Sequence, residues 1–69
     1  MEVCAEMVAN VVSIVVAPAD DVAAGDTLLV LESMKMEIPV LAEGSGTVTE
    51  VRVTEGDVVQ EGDVLVVLA

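Results

Sequence analysis

Aliphatic residues recur in short runs along the chain, and acidic residues, glycine or proline separate the runs. Val11–Val16 and Val48–Val53 mix apolar with polar positions and are rich in β-branched side chains, which predicts a strand in each. The apolar runs at Leu28–Glu32 and Val64–Leu68 predict two more strands. This pattern favours an all-β fold over a long helix.

The predicted strands belong to an internal repeat. When the chain is aligned with itself at an offset of 37 residues (40 − 3), residues 3–31 fall on residues 40–68 without a gap, and 12 of the 29 pairs are identical. The identical pairs are Val3/Val40, Ala5/Ala42, Glu6/Glu43, Val11/Val48, Val16/Val53, Asp20/Asp57, Val22/Val59, Gly25/Gly62, Asp26/Asp63, Leu28/Leu65, Val30/Val67 and Leu31/Leu68. A repeat of this length indicates two equivalent halves. Because neither half can bury a face alone, we expect an antiparallel sandwich with a pseudo-twofold axis.

A polar turn separates the two strands of each half, at Pro18–Gly25 and at Glu55–Gly62. We expect the glycine that ends each turn to adopt positive φ, the aspartate after it to accept a backbone N–H bond, and the valine inside it to be buried. These pairs are Gly25 and Gly62, Asp26 and Asp63, and Val22 and Val59. Ala19 stands where the repeat has Gly56, which predicts a different conformation for the first turn.

Composition excludes most kinds of side-chain chemistry. The 69 residues include 13 acidic and 2 basic residues, for a formal charge of −11, and contain no histidine or aromatic residue. Nucleophilic triads and zinc sites therefore lack their usual ligands and bases, and a surface this acidic repels nucleic acid. The acidic turns also match no calcium loop. Because 55% of the residues are hydrophobic, we nevertheless expect one folded domain over residues 1–69.

The N-terminal segment has no basic region, and no apolar run approaches the length of a membrane span. The single cysteine, Cys4, cannot form an internal disulfide, which favours a cytoplasmic protein without a membrane partner. No basic residue adjoins Cys4 to stabilise a thiolate, so we expect it to be a small buried residue rather than a reactive thiol.

The repeat leaves out eight residues, 32–39, at the joint between its halves. If the twofold axis runs across the strands, this joint protrudes as a hairpin at one end and the termini lie at the other. Lys35 at its centre is the only lysine, and Arg52 is the only other basic residue. Met34 and Met36 flank Lys35, which is unusual for an exposed turn and typical of a recognition surface.

The segment Glu32–Met36, with the sequence Glu-Ser-Met-Lys-Met, resembles the biotin attachment motif of biotinyl domains, commonly Glu-Ala-Met-Lys-Met. Those domains form the biotin carboxyl carrier family within the biotinyl/lipoyl fold. The resemblance covers nearly the whole chain, including Pro39 and the stretches 42–48 and 55–63. It implies a flattened sandwich (barrel-sandwich hybrid) of two four-stranded sheets, with the modified lysine on a β-hairpin turn. Ser33 in place of alanine is a small departure.

The resemblance implies biotin bound covalently to Lys35 by a biotin protein ligase, with Met34 and Met36 serving recognition and Glu32 flanking the motif. It further implies a non-catalytic carrier that shuttles carboxybiotin between biotin carboxylase and carboxyltransferase subunits in trans. The acceptor stays open among acyl-CoA, pyruvate and urea. One alternative is a lipoyl carrier, although its motif usually has Asp before the lysine and Ala or Val after it. Another is an unmodified acidic β module that acts only as an interaction domain.

Overall fold

The computed structural model describes residues 1–69, and all of its regular elements are strands. The eight strands are β1 (Glu2–Cys4), β2 (Ala9–Ile14), β3 (Asp21–Val22), β4 (Thr27–Ser33), β5 (Met36–Leu41), β6 (Gly46–Val51), β7 (Val58–Val59) and β8 (Val64–Leu68). None of these elements is a membrane-spanning helix.

The strands form two antiparallel four-stranded sheets, with the orders β1-β8-β6-β3 and β5-β4-β2-β7. Each strand of the first half takes the position that its repeat partner takes in the other sheet: β1 corresponds to β5, β2 to β6, β3 to β7, and β4 to β8. The sheets stay open at their edges and enclose a common core. The predicted all-β antiparallel sandwich with quasi-twofold symmetry is therefore confirmed.

Hydrogen bonds repeat in the two halves along with the strands. In each of four turns an aspartate Oδ2 accepts the backbone N–H of the residue three positions earlier, at 2.8–2.9 Å. The pairs are Ala17 with Asp20, Ala23 with Asp26, Thr54 with Asp57, and Gln60 with Asp63. The predicted bonds to Asp26 and Asp63 are confirmed, and the repeat extends them to Asp20 and Asp57.

The first turn does not differ from its counterpart, so that prediction is wrong. Ala19 has a φ of 80° where Gly56 has 95°. The Ala19 N–H donates to Val48 O at 2.7 Å, and the Gly56 N–H donates to Val11 O at 2.8 Å. Because the same bonds hold both turns, Ala19 is kept in a left-handed conformation that an L-residue otherwise avoids.

Two predicted strands begin earlier than the apolar pattern indicates. β2 begins at Ala9 and β6 at Gly46, because each pairs there with a two-residue strand formed inside a turn. Those two-residue strands carry Val22 and Val59, which are buried as expected. A Cβ on Gly46 would lie 2.6 Å from a backbone oxygen of Ala69, so any other residue at this start of β6 would displace that backbone.

The core lies between the sheets and is purely aliphatic. Its 13 buried residues include no polar or charged side chain, and Leu28, Leu29, Leu65 and Val66 are fully inaccessible. Both positive-φ predictions for Gly25 and Gly62 hold, at 91° each.

Cys4 is exposed, contrary to the prediction that it is buried. It belongs to the edge strand β1, on which successive side chains alternate between the two faces. Val3 packs against the core, while Glu2 and Cys4 on either side of it are exposed.

The termini lie at the end of the sandwich opposite the β4–β5 connection. β5 runs away from that connection, and the short link 42–45 leads into β6 at the far end. There the Ala69 N–H donates to Thr47 O at 2.8 Å, and the Leu68 N–H donates to Met1 O at 2.7 Å.

Candidate functional site: the β4–β5 hairpin

A two-residue turn joins β4 to β5. Ser33 and Met36 are its closing cross-strand pair, and the residues between them are Met34, with a φ of 54°, and Lys35, with a φ of 65°. Positive φ at both central positions is the requirement of a type I′ turn, in which Asn-Gly is favoured. Since an L-residue in this region costs about 1–2 kcal/mol, the turn is strained at its two central residues.

The side chains of the turn point into solvent. Met34 is 91% exposed and Met36 is 63% exposed, and Lys35 is exposed between them. Lys35 takes part in no side-chain hydrogen bond or ion pair. The one ion pair of the molecule joins Arg52 Nε to Glu50 Oε1 at 2.8 Å, and this hydrogen bond raises the pKa of Arg52.

Acidic side chains lie next to the turn. Glu32 on β4 and Glu37 on β5 are direct cross-strand partners, both exposed, one step away from the closing pair. No basic side chain faces them across the hairpin. A partner that approaches Lys35 therefore meets negative charge on the strands beneath it.

The cross-strand row continues across the sheet to two apolar side chains that sequence reasoning missed. Asn10 on β2 pairs with Glu32 on one side and with Val58 on β7 on the other. Val58 is 65% exposed, and Val8, directly before β2, is 61% exposed. The repeat held a signal for both, because its other copy has Asp21 and Ser45 at these positions.

The predicted site residues thus lie together on one hairpin, with Lys35 and Met34 in the turn, Met36 opening β5, and Glu32 on β4. Their roles in attachment and recognition stay predictions. An exposed primary amine at a turn fits a group joined through an amide bond, because the bond needs only that nitrogen. No group of three or more potential metal-ligating side chains forms anywhere in the chain.

The family model described as "Biotin-requiring enzyme" matches residues 2–68. The chain belongs to this biotin/lipoyl family. A "Biotinylated protein TB7.3 homolog" from Mycobacterium leprae is 52% identical to this biotin/lipoyl domain over 68 residues, covering 99% of this chain and 96% of that protein. A "Biotin/lipoyl attachment protein" from Bacillus subtilis is 46% identical over 69 residues, covering 100% of this chain and 94% of that one.

A solved structure has the same fold. The urea carboxylase from Kluyveromyces lactis superposes with a TM-score of 0.93 at 33% identity, and the match covers 100% of this chain and 6% of that one. The family prediction is confirmed, and with it the coarser functional prediction. This biotin/lipoyl domain is of the biotin-carrying type found in biotin-dependent carboxylases.

Proposed function

We propose that this domain is a biotin carboxyl carrier, with the carboxyl carbon of biotin joined by an amide bond to Nζ of Lys35. The observation that carries the proposal is the single lysine, exposed in a strained two-residue turn between two exposed methionines. The flanking methionines favour biotin over lipoate, and the name of the Mycobacterium leprae relative agrees.

The chain presents the amine but does not activate it. Attack on an acyl group requires a neutral amine, and no side chain of this domain is bonded to Lys35 to accept its proton. The base and the activated biotin carboxyl group must then come from an ATP-dependent biotin protein ligase. On this proposal the domain is a substrate of that ligase and a non-catalytic part of a carboxylase.

Biotin bound at Lys35 supplies a ureido nitrogen that takes up and releases a carboxyl group. The domain keeps that group tethered, which gives an effective concentration of roughly mM order at sites within reach. Carrying the group between biotin carboxylase and carboxyltransferase subunits in trans is consistent with a chain that lacks catalytic side chains of its own.

The ligase is expected to contact the exposed apolar side chains at the hairpin end: Met34, Met36, Val8 and Val58. The acidic pair Glu32 and Glu37 favours a basic rim on the ligase around that contact.

The test is incubation of the purified protein with biotin, ATP and a biotin protein ligase, followed by intact mass measurement and peptide mapping. We expect one amide-linked biotin at Lys35. Lys35→Arg should keep the fold, as checked by circular dichroism, and lose the label. Label that persists in this variant would refute the site.

The two alternatives are tested separately. A lipoate ligase with lipoic acid should leave the mass unchanged, whereas efficient lipoylation would favour a lipoyl carrier. Protein isolated from its native cells should bind streptavidin on a blot. If the isolated protein gave no streptavidin signal, an unmodified interaction module would be favoured.

A further inference from the structure

The edge strands β1 and β5 border a groove on one side of the sandwich. The groove has a volume of about 440 Å³ and a mostly apolar lining. At the hairpin end it is lined by Leu31 and Ile38 of the β4–β5 pair and by Ala5 and Met7 of the loop after β1. That loop lies at the hairpin end because it leads to Asn10, the cross-strand partner of Glu32.

Backbone amides of both edge strands face away from their own sheets along this groove. The Ala5 N–H donates to Asp63 O, and the Leu68 N–H donates to Met1 O, so positions 1 and 5 face β8. Since antiparallel strands bond through alternate residues, Glu2 and Cys4 direct their N–H and C=O groups away from β8. On β5 the Ala42 N–H donates to Asp26 O, so Ala42 faces the β4 side. By the same alternation, its neighbour Leu41 directs its backbone N–H and C=O groups away from β4.

The groove lies within reach of a group tethered to Lys35. Ile38 is three residues from Lys35, at most about 11 Å along an extended chain. The arm from Lys35 Cα to the biotin ring has eleven single bonds, and with bond lengths near 1.5 Å it extends on the order of 14 Å. The arm can therefore turn back from the hairpin and place the ring beside Leu31 and Ile38.

The chemistry of the groove suits that ring. Its apolar floor matches the thioether ring, and the outward backbone groups of Glu2 and Cys4 on β1 can accept from the ureido N–H groups and donate to the ureido oxygen. β5 offers no donor at this depth, because its outward position next to Ile38 is Pro39, which has no N–H. Three acidic residues, Glu2, Glu6 and Glu43, are also among those that line the groove. These favour an uncharged ligand with N–H donors and would repel a ring that carries a negatively charged carboxyl group.

We infer that the groove between β1 and β5 is a resting site for the uncharged ring of biotin attached to Lys35 of the same domain. This inference rests on the proposed attachment of biotin to Lys35. The groove would hold the ring between encounters and release it once the ring becomes anionic.

The test uses chemically loaded protein, so that it does not depend on a ligase. The N-hydroxysuccinimide ester of biotin acylates Lys35, the only lysine, and the ester of hexanoic acid gives a matched arm without a ring. Because Met1 also carries an amine, Lys35→Arg loaded with the biotin ester controls for label at the N-terminus.

Two readouts report on the groove. Methyl NMR should show shifts at Met7, Leu31 and Ile38 in the biotinyl protein and not in the hexanoyl protein. Cys4 also lines the groove, and its thiol should react more slowly with a maleimide when the ring is seated. If the ring occupies the groove for about nine-tenths of the time, alkylation slows about tenfold, because only the open fraction reacts.

Changes confined to residues 33–37, with unchanged alkylation of Cys4, would overturn the resting site. Equal methyl shifts and equal alkylation rates in the biotinyl and hexanoyl proteins would overturn the resting site as well. Failure of ligase labelling would contradict the proposed function alone, since the chemically loaded protein still gives both readouts.

Discussion

Replacing Met34 by glycine should stabilise the domain although it removes a side chain from the proposed site. The native φ of 54° at Met34 costs an L-residue about 1–2 kcal/mol, and glycine avoids that cost. Glycine loses more backbone entropy on folding, which offsets about 0.5–1 kcal/mol. The methionine is 91% exposed, so its removal gives up little buried area. The net gain should be about 0.5–1 kcal/mol.

Met34→Ala is the matched control, because alanine removes the same thioether and keeps the strained backbone. We expect its free energy of unfolding to lie within about 0.5 kcal/mol of the native value, as for most exposed substitutions. For a domain of this size, the glycine variant should unfold roughly 3–6 °C higher. Thermal unfolding followed by circular dichroism, with urea titration as a second measurement, distinguishes the two variants.

The Met34→Gly and Met34→Ala variants also separate the effect of backbone strain on stability from the effect of the side chain on ligase recognition. If the ligase reads the methionine side chain, it should label both variants more slowly and by a similar factor, although only one is more stable. Equal stability of the alanine and glycine variants, or a loss of stability with glycine, would refute the strain argument. Native labelling rates for both would refute a recognition role for Met34.

Three further predictions follow from the fold. Ala19→Gly should raise the free energy of unfolding by about 0.5–1 kcal/mol, and Gly56→Ala at the symmetric position should lower it by about 1 kcal/mol. A Cβ on residue 56 meets no atom within 4 Å, so the substitution there changes only the backbone strain. Urea titrations that give both variants a change of the same sign would contradict this. Val58→Ser should slow ligase labelling without altering the thermal midpoint. Val15→Ser serves as its control, because Val15 is similarly exposed (58% against 65%) and directly follows β2 at the end away from the hairpin. Equal labelling rates for the two variants would exclude Val58 from the contact. Leu65→Ala should cost about 2–5 kcal/mol, because Leu65 is fully buried, and a near-native urea midpoint would show that the core tolerates the cavity.

The repeat and the attachment motif together predict most of the architecture. Register between the halves places Val22 and Val59 in the core and gives Gly25 and Gly62 the same φ of 91°. Strand ends were less predictable, because the start of β2 at Ala9 depends on pairing with a two-residue strand far along the chain. Such pairing leaves no local hydrophobic signal.

The sequence also could not predict where a residue adopts a backbone conformation that its type disfavours. Alanine normally avoids positive φ, and Ala19 adopts it because the turn is bonded to Val48 in the other half, through the Ala19 N–H to Val48 O and the Val48 N–H to Asp20 O. The exposure of Cys4 depends on β1 being an edge strand, which is a property of the assembled sheet. Val58 joins the hairpin surface only through its register with Asn10.

The pairing of Met1 with Leu68 fixes where longer polypeptides would enter and leave this domain. A tag or a neighbouring domain fused at either terminus would project from the end remote from Lys35 and leave the lysine accessible. Joining Ala69 to Met1 with a short linker should likewise yield a circular permutant that opens elsewhere and still presents Lys35 at the hairpin.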